Sequence, residues 1–188
     1  CDCLFLPDQS ILNNIKQIKS SYKSQHLCGL NRPGHFDGVL TIVNRLFDLV
    51  KPTRAIFGKK DYQQLLLISD FVKENNLPIN IIGSEIVRDQ SGLALSSRNN
   101  HLSADEKKLA SNLYKTLKII ANKGNKLTNN DIINEKNRLL ELGFSIDYLN
   151  VCNPQELSKE SNYNIRPLIV AIAAHIGEIR LIDNILIT

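Results

Sequence analysis

Residues 58–64, Gly-Lys-Lys-Asp-Tyr-Gln-Gln, join a short apolar run at 54–57 to a helix-like run at 65–74. The same alternation continues on both sides of this unit. Before it, apolar residues at 36–50 step by three and four, which predicts a helix with one apolar stripe. After it, a second short apolar run at 79–83 predicts another strand. The order helix, strand, helix, strand predicts a parallel sheet with covering helices, and therefore an α/β fold.

The turn inside this unit has the composition of an anion-binding site. Gly58 would let the backbone approach a ligand closely, and the start of the next helix presents free N–H groups at its positive dipole end. Lys59 and Lys60 add mobile positive charge, and Asp61 is placed to cap the helix. An ordinary strand-to-helix turn with solvated lysines is the alternative interpretation.

The beginning of the chain carries a weaker pattern. We predict a strand at 2–6, a short helix followed by a loop within 10–24, and a brief extended piece at 25–29. The first residue is Cys1 rather than methionine, and the chain opens inside an apolar run. We therefore expect that the sequence begins partway through a longer protein.

The second half of the chain is organised differently. A long loop at 88–100 precedes two predicted helices, each of which starts with a capping box, at 103–106 and at 128–131. Three strand-like runs follow, at 146–151, 168–175 and 178–187. Their spacing predicts a small antiparallel sheet. The sequence thus predicts an α/β domain over 1–86 and a smaller α+β domain over 87–188.

Bulk composition excludes several classes of protein. The 188 residues carry a net charge of +4, a mild excess that does not demand nucleic acid but suits an anionic small substrate. No apolar run reaches the roughly 18 residues needed to span a bilayer. The four cysteines are Cys1, Cys3, Cys28 and Cys152. They form no CxxC pair and no metal-ligand spacing with the histidines, so we expect free thiols in a reducing cytoplasm.

A second candidate site lies in the long loop, at Leu95-Ser96-Ser97-Arg98-Asn99. A guanidinium can donate two hydrogen bonds to one phosphate, and serine hydroxyls can add more. The segment could therefore close over a triphosphate. A polar surface turn is the alternative.

Two further motifs are weaker. The stretch His175-Ile176-Gly177-Glu178 looks like the HIGH signature of nucleotidyl-transferring enzymes, but it lies between two strand-like runs, so we predict a hairpin turn. The stretch Arg32-Pro33-Gly34-His35 holds a histidine with no acidic or nucleophilic neighbour, so we predict a loop histidine anchored by hydrogen bonds.

Four blocks of the sequence together resemble the pantothenate synthetases, the pantoate–β-alanine ligases. The blocks are RPGHF at 32–36, FGKKDYQQ at 57–64, GLALSSRN at 92–99 and RLIDN at 180–184. Their order and gaps match the family from the first residues to nearly the last. The resemblance covers this whole chain but only about the last two-thirds of a family member.

The resemblance implies an ATP- and magnesium-dependent ligase of the coenzyme A pathway. In this family the pantoate carboxylate attacks the α-phosphate of ATP to give pantoyl adenylate and pyrophosphate, and the amine of β-alanine then displaces AMP. It also implies a Rossmann-like nucleotide-binding domain, incomplete at its N-terminus here, and a C-terminal lid domain. A cytoplasmic homodimer that binds neither nucleic acid nor membranes is expected.

The resemblance also implies roles for particular residues. Those expected to bind ATP are Gly58, Lys59, Lys60, Asp61, Val87, Leu95, Ser96, Ser97 and Arg98. Among them, Lys60, Ser96 and Arg98 are expected to be catalytic, with Lys60 stabilising the charge that develops on phosphate. Gln64 is expected to hydrogen-bond pantoate, and Arg32 to help order the substrate-binding region. No protein ligand to a metal is implied.

Departures from the family pattern limit these expectations. The early His-x-Gly-His motif of the family has no counterpart here, so this chain alone should lack half of the catalytic cleft. Cys28 and Lys59 stand where relatives often carry glutamate. The alternatives are therefore a non-catalytic folded fragment or dimerisation module, and another adenylyl-transferring enzyme with the same phosphate clamp.

Overall fold

The computed structural model describes residues 2–13 and 15–188, so the thiol predicted at Cys1 lies outside the described residues. The α-helices are α1 (Cys28–Asn31), α2 (His35–Val50), α3 (Tyr62–Glu74), α4 (Ala104–Ala110), α5 (Asn112–Asn122) and α6 (Asn129–Glu141). The strands are β1 (Arg54–Gly58), β2 (Asn80–Ser84), β3 (Ser145–Cys152), β4 (Leu168–Ile176) and β5 (Ile179–Ile187). Short 3-10 helices occupy Gln9–Leu12, Tyr22–Gln25, Lys59–Asp61, Ser97–His101 and Gly124–Lys126.

A parallel pair, β1 and β2, forms the first sheet, with Arg54 opposite Asn80 and Gly58 opposite Ser84. Leu40 and Phe47 of α2 pack with Ile68 and Val72 of α3 in one buried cluster beside the sheet. The apolar periodicity of these segments has therefore produced the predicted helices and parallel strands, and the α/β class is confirmed.

The second sheet is antiparallel in the order β3, β4, β5, as predicted. The two capping boxes are formed: Ser103 pairs with Glu106, and Thr128 with Asp131. Gly177, with φ of 53°, makes the tight turn between β4 and β5. The predicted hairpin at 175–178 is therefore confirmed.

Several local predictions are wrong. Residues 2–6 form no strand, because no strand of the described part pairs with them, and Leu6 stays 79% exposed. The piece predicted as extended at 25–29 contains the end of a 3-10 turn and the start of α1. The single helix predicted after 103 is divided at Ser111 into α4 and α5, and the Ser111 hydroxyl donates to the carbonyl of Lys108.

The two sheets are connected through a third apolar cluster. Leu27 packs there with Cys152, Leu157, Ile169 and Ala171 of the second sheet and its loops. Tyr62 and Leu66 from α3 pack against the same cluster. Hydrogen bonds from Asn184 of β5 to the carbonyls of Lys59 and Lys60 place the C-terminal end of β1 beside β5. A division into two domains at residue 86 stays a prediction. In the described ranges, no helix is both long and apolar enough to cross a membrane.

Replacing Leu117 by alanine should lower the free energy of unfolding by about 2–5 kcal/mol. Leu117 lies in α5, is fully buried and belongs to the main apolar cluster between the helices and the second sheet. Urea denaturation would measure the change. Ile119→Ala is the matched control, since Ile119 is 40% exposed on the same helix. An equal loss in both variants would contradict the assigned core.

Candidate active site

A cleft opens where the turn after β1 faces the second sheet. Its charged and polar lining includes Arg32, His35, Lys60, Asp61, Gln64, Arg98 and Arg180. Four of these side chains are arginines or lysines, whereas Asp61 is one of few carboxylates in the lining. The cleft is therefore cationic, and its chemistry suits an anionic ligand.

The turn after β1 leaves open space at its glycine. Gly58 has an ordinary extended φ of −72°, so left-handed backbone freedom is not what this position requires. A Cβ added there would meet no atom within 4 Å. Asp61 was predicted to cap α3, but its side chain makes no cap hydrogen bond, and the carboxylate lines the cleft instead.

Lys60 connects the two candidate segments. Its Nζ donates to the carbonyl oxygen of Leu95 at 3.3 Å, so the ammonium crosses from the turn to the loop. Burial lowers the pKa of Lys60, because removal from water disfavours the charged form, and the carboxylates of Asp61 and Asp183 offset this only in part. Lys59 instead forms an ion pair with Glu85 and lies outside the cleft lining.

The segment at 88–100, predicted as a loop, is a small folded unit. Arg88 and Ala94 form a β-bridge, and the N–H of Leu95 donates to the carbonyl of Val87 at 2.9 Å. The hydroxyl of Ser96 accepts from the N–H of Arg98 at the start of the 3-10 helix. This geometry directs Arg98 to the cleft.

The structure thus brings together five of the predicted site residues. Arg32, Lys60, Asp61, Gln64 and Arg98 line the cleft. Leu95, Ser96 and Ser97 line a separate depression on the same loop. Val87 is 66% exposed and outside the cleft, as are Gly58 and Lys59. Side chains on one short segment therefore divide between two surfaces.

Three of the cleft's cations form no ion pair with a carboxylate among the residues that the structure describes. Arg32 and Arg98 form no ion pair, and the ammonium of Lys60 reaches only a neutral carbonyl. By contrast, Nε of Arg180 donates to Asp147 at 2.8 Å. The side-chain amide of Gln64 likewise makes no hydrogen bond with any residue that the structure describes. Unpaired cations that converge on a cleft are a preformed site for a multiply charged anion.

His35 contributes to the cleft more than its motif predicted. It lies at the first position of α2, not in a loop. Burial, together with the charges of Arg32 and Arg180, lowers the pKa of His35. A neutral imidazole at neutral pH can both donate and accept a hydrogen bond, so His35 can orient an uncharged polar group of a ligand.

Four further residues line the cleft although no site role was predicted for them: Cys28, Arg180, Asp183 and Asn184. The thiol of Cys28 lies 3.0 Å from the hydroxyl of Tyr148 and 3.6 Å from Nη2 of Arg180. The two consecutive polar residues at 183–184, inside a mostly apolar strand, were the available signal, since buried polar groups need partners.

A parallel strand–turn–helix unit with cations at its carboxyl end is the arrangement with which many α/β proteins bind phosphate-type anions. The family profile described as pantoate-beta-alanine ligase matches residues 1–186. The pantothenate synthetase of Ectopseudomonas mendocina is 41% identical over 100% of this chain, and that of Acinetobacter baylyi is 42% identical over 98%. The chain belongs to the pantoate–β-alanine ligase family, as the resemblance predicted.

Solved structures agree with this assignment. The pantothenate synthetase of Thermus thermophilus superposes with a TM-score of 0.84, at 37% identity over 91% of this chain. The pantoate-beta-alanine ligase of Francisella tularensis, complexed with beta-gamma ATP and beta-alanine, gives a TM-score of 0.72 at 32% identity. The chain spans 68% and 67% of the two curated relatives, and 62% and 59% of the two solved chains.

Proposed function

We propose that the cleft binds ATP and pantoate and forms pantoyl adenylate, from which β-alanine displaces AMP to give pantothenate. The observation that carries the proposal is the convergence of Lys60, Arg98 and Arg32 on one cleft, where none of the three forms an ion pair with a described residue. The solved relative from Francisella tularensis was complexed with an ATP ligand and β-alanine, which supports the same pair of ligands here.

In the first step, a carboxylate oxygen of pantoate attacks the α-phosphorus, and the bond from phosphorus to the pyrophosphate oxygen breaks. Negative charge grows on the departing pyrophosphate. Lys60 and Arg98 both line the cleft and can donate hydrogen bonds to this charge, and donors placed where charge develops stabilise a transition state more than the ground state. We assign phosphate binding to these two residues on this basis.

In the second step, the amine of β-alanine attacks the acyl carbon of the adenylate, the acyl–oxygen bond to AMP breaks, and the nitrogen loses a proton. Gln64 has a free amide on the cleft and is assigned to pantoate. Arg32 supplies a further cation for a carboxylate.

Magnesium fits this arrangement as an ion carried mainly by the nucleotide. In the described parts of the chain, no three His, Cys, Asp or Glu side chains form a group that could hold a metal. Mg²⁺ in such sites is bound by one or two carboxylates together with substrate phosphates, and Asp61 offers one carboxylate on the cleft. When bound, the ion would neutralise phosphate charge.

The serines that the resemblance implies as ATP ligands would contact the nucleotide only after a movement of their loop. Ser96 and Ser97 face the separate depression, so the loop would have to turn for their hydroxyls to reach phosphate. Gly58 leaves the open space that a phosphate would occupy. Val87 and Leu95 lie next to these groups along the chain. Lys59 pairs with Glu85 outside the cleft, so we do not propose that its ammonium contacts ATP. Cytoplasmic location and a homodimer are proposed from the family resemblance alone.

The proposal predicts exchange of labelled pyrophosphate into ATP that requires pantoate but not β-alanine. The complete product of the gene that encodes this chain should be assayed with Mg²⁺, and AMP and pantothenate should then form in equal amounts when β-alanine is added. Titration calorimetry of ATP into the 188-residue chain would test binding separately.

Three results would change this assignment. Exchange that requires a different carboxylic acid would indicate another adenylyl-transferring enzyme. Absence of both exchange and AMP from folded protein would favour the non-catalytic module. Release of ADP instead of AMP would exclude the adenylate.

A further inference from the structure

Two consecutive polar residues, Asp183 and Asn184, lie in the middle of the mostly apolar strand β5. They are only 4% and 7% exposed. Burying a carboxylate or an amide is unfavourable unless its hydrogen bonds are satisfied. The partners of these two side chains therefore explain why the strand contains them.

Asn184 holds the backbone of the lysine turn. Its Nδ2 donates to the carbonyl oxygen of Lys59 and to that of Lys60, at 3.0 Å each. Both carbonyls belong to the 3-10 turn at Lys59–Asp61. The position of the Lys60 backbone is thereby fixed relative to β5.

Asp183 holds the start of the loop at 88–100, the segment that carries Arg98. Its two carboxylate oxygens accept from Nη1 and Nη2 of Arg88 at 2.6 and 2.8 Å. Arg88 also donates to the carbonyl of Gly92 at 3.1 Å and stacks over the ring of Tyr114 at 3.6 Å. Arg88 therefore ties the start of the loop that carries Arg98 to the same strand.

We infer that Asp183 and Asn184 are positioning residues that set the separation between Lys60 and Arg98. This inference rests on the proposed function, in which those two cations share one phosphate chain. Because neighbouring residues of one strand hold both the lysine turn and the loop that carries Arg98, the spacing between these two segments does not depend on flexible connections. Displacement by about 1 Å can reduce catalysis on the order of a hundredfold.

The direct test replaces Asn184 by leucine, which has a similar shape and no donor. We expect the KM for ATP to rise on the order of tenfold and kcat to fall by up to about a hundredfold, with KM for β-alanine unchanged. Asn184→Asp provides a second variant if the leucine protein folds poorly. Asp183→Asn weakens the pair with Arg88. It should therefore loosen the loop that carries Arg98 and raise the KM for ATP as well.

Two readouts do not need turnover. Hydrogen exchange should accelerate at amides 59–62 in Asn184→Leu but not in β4. Lys60 should titrate closer to its ordinary pKa, because a loosened turn lets water reach the ammonium. The groups around it, Asp61, Asp183, Arg98 and Arg88, are unchanged in this variant. NMR of labelled lysine would follow that titration.

Glu135→Gln is the matched control, because Glu135 accepts from Arg138 at 3.0 Å and from Thr116 at 3.1 Å, in a polar network that lies outside the cleft lining. It should lower stability without changing ATP binding. If Asn184→Leu behaves like this control in hydrogen exchange, in the titration of Lys60 and in the kinetics with ATP, the inference is wrong. If the unmodified protein neither binds nor consumes ATP, the proposed function fails, whereas exchange and titration still decide the positioning role.

Discussion

Replacing Lys60 by alanine should lower kcat by about 10²–10³-fold while leaving the free energy of unfolding nearly unchanged. The ammonium is partly buried and lines the cleft, and within the described ranges it donates only to a neutral carbonyl. The ammonium therefore contributes little to the stability of the folded protein, but it should stabilise the transition state in which negative charge develops on phosphate. Steady-state kinetics of the complete gene product, with urea denaturation of the same variant, would measure both quantities.

Lys59→Ala is the matched control for this prediction. Lys59 is adjacent in sequence, but its ammonium pairs with the exposed side chain of Glu85 outside the cleft. Exposed pairs contribute about 0–1 kcal/mol to stability, so neither stability nor kcat should change much. A similar loss of activity in both variants would indicate a general effect of the turn's charge. Unchanged turnover in Lys60→Ala would refute the role assigned to Lys60.

The sequence predicted most of this fold because local pattern and final packing agree. The apolar stripe that includes Leu40 and Phe47 packs against α3, and the two capping boxes start α4 and α6. Prediction failed where the structure of a segment depends on a distant segment of the chain that must pair with it. The apolar run at 2–6 has the composition of a strand, but a strand exists only when another strand pairs with it.

The candidate site was predictable in part for the same reason. The lysine turn and the Arg98 loop were identified from residue type and from family resemblance. That Lys60 and Lys59 point to different surfaces could not be predicted, because one residue of displacement along a turn changes the direction of a side chain. The roles of Asp183 and Asn184 required the register of β5 against both segments, which no local pattern contains.

Replacing Arg98 by alanine should lower kcat/KM for ATP by about a hundredfold, with most of the loss in KM if the guanidinium already binds ground-state phosphate. Arg98 has no acidic partner within the described ranges, so its charge is available to a ligand. Arg98→Lys should restore only part of the loss, because lysine keeps the charge but lacks the planar fork. Arg54→Ala, which removes an exposed arginine from the far end of β1, should leave the kinetics unchanged.

The double variant Lys60→Ala with Arg98→Ala decides whether the two cations act on one nucleotide. Groups that contact the same ligand couple by about 0.5–3 kcal/mol, whereas independent groups give additive losses. We expect the double variant to lose less than the sum, because removing either cation already releases the phosphate from the geometry that the other requires. Strict additivity would mean that the turn and the loop bind different groups, and a single phosphate clamp between them would be excluded.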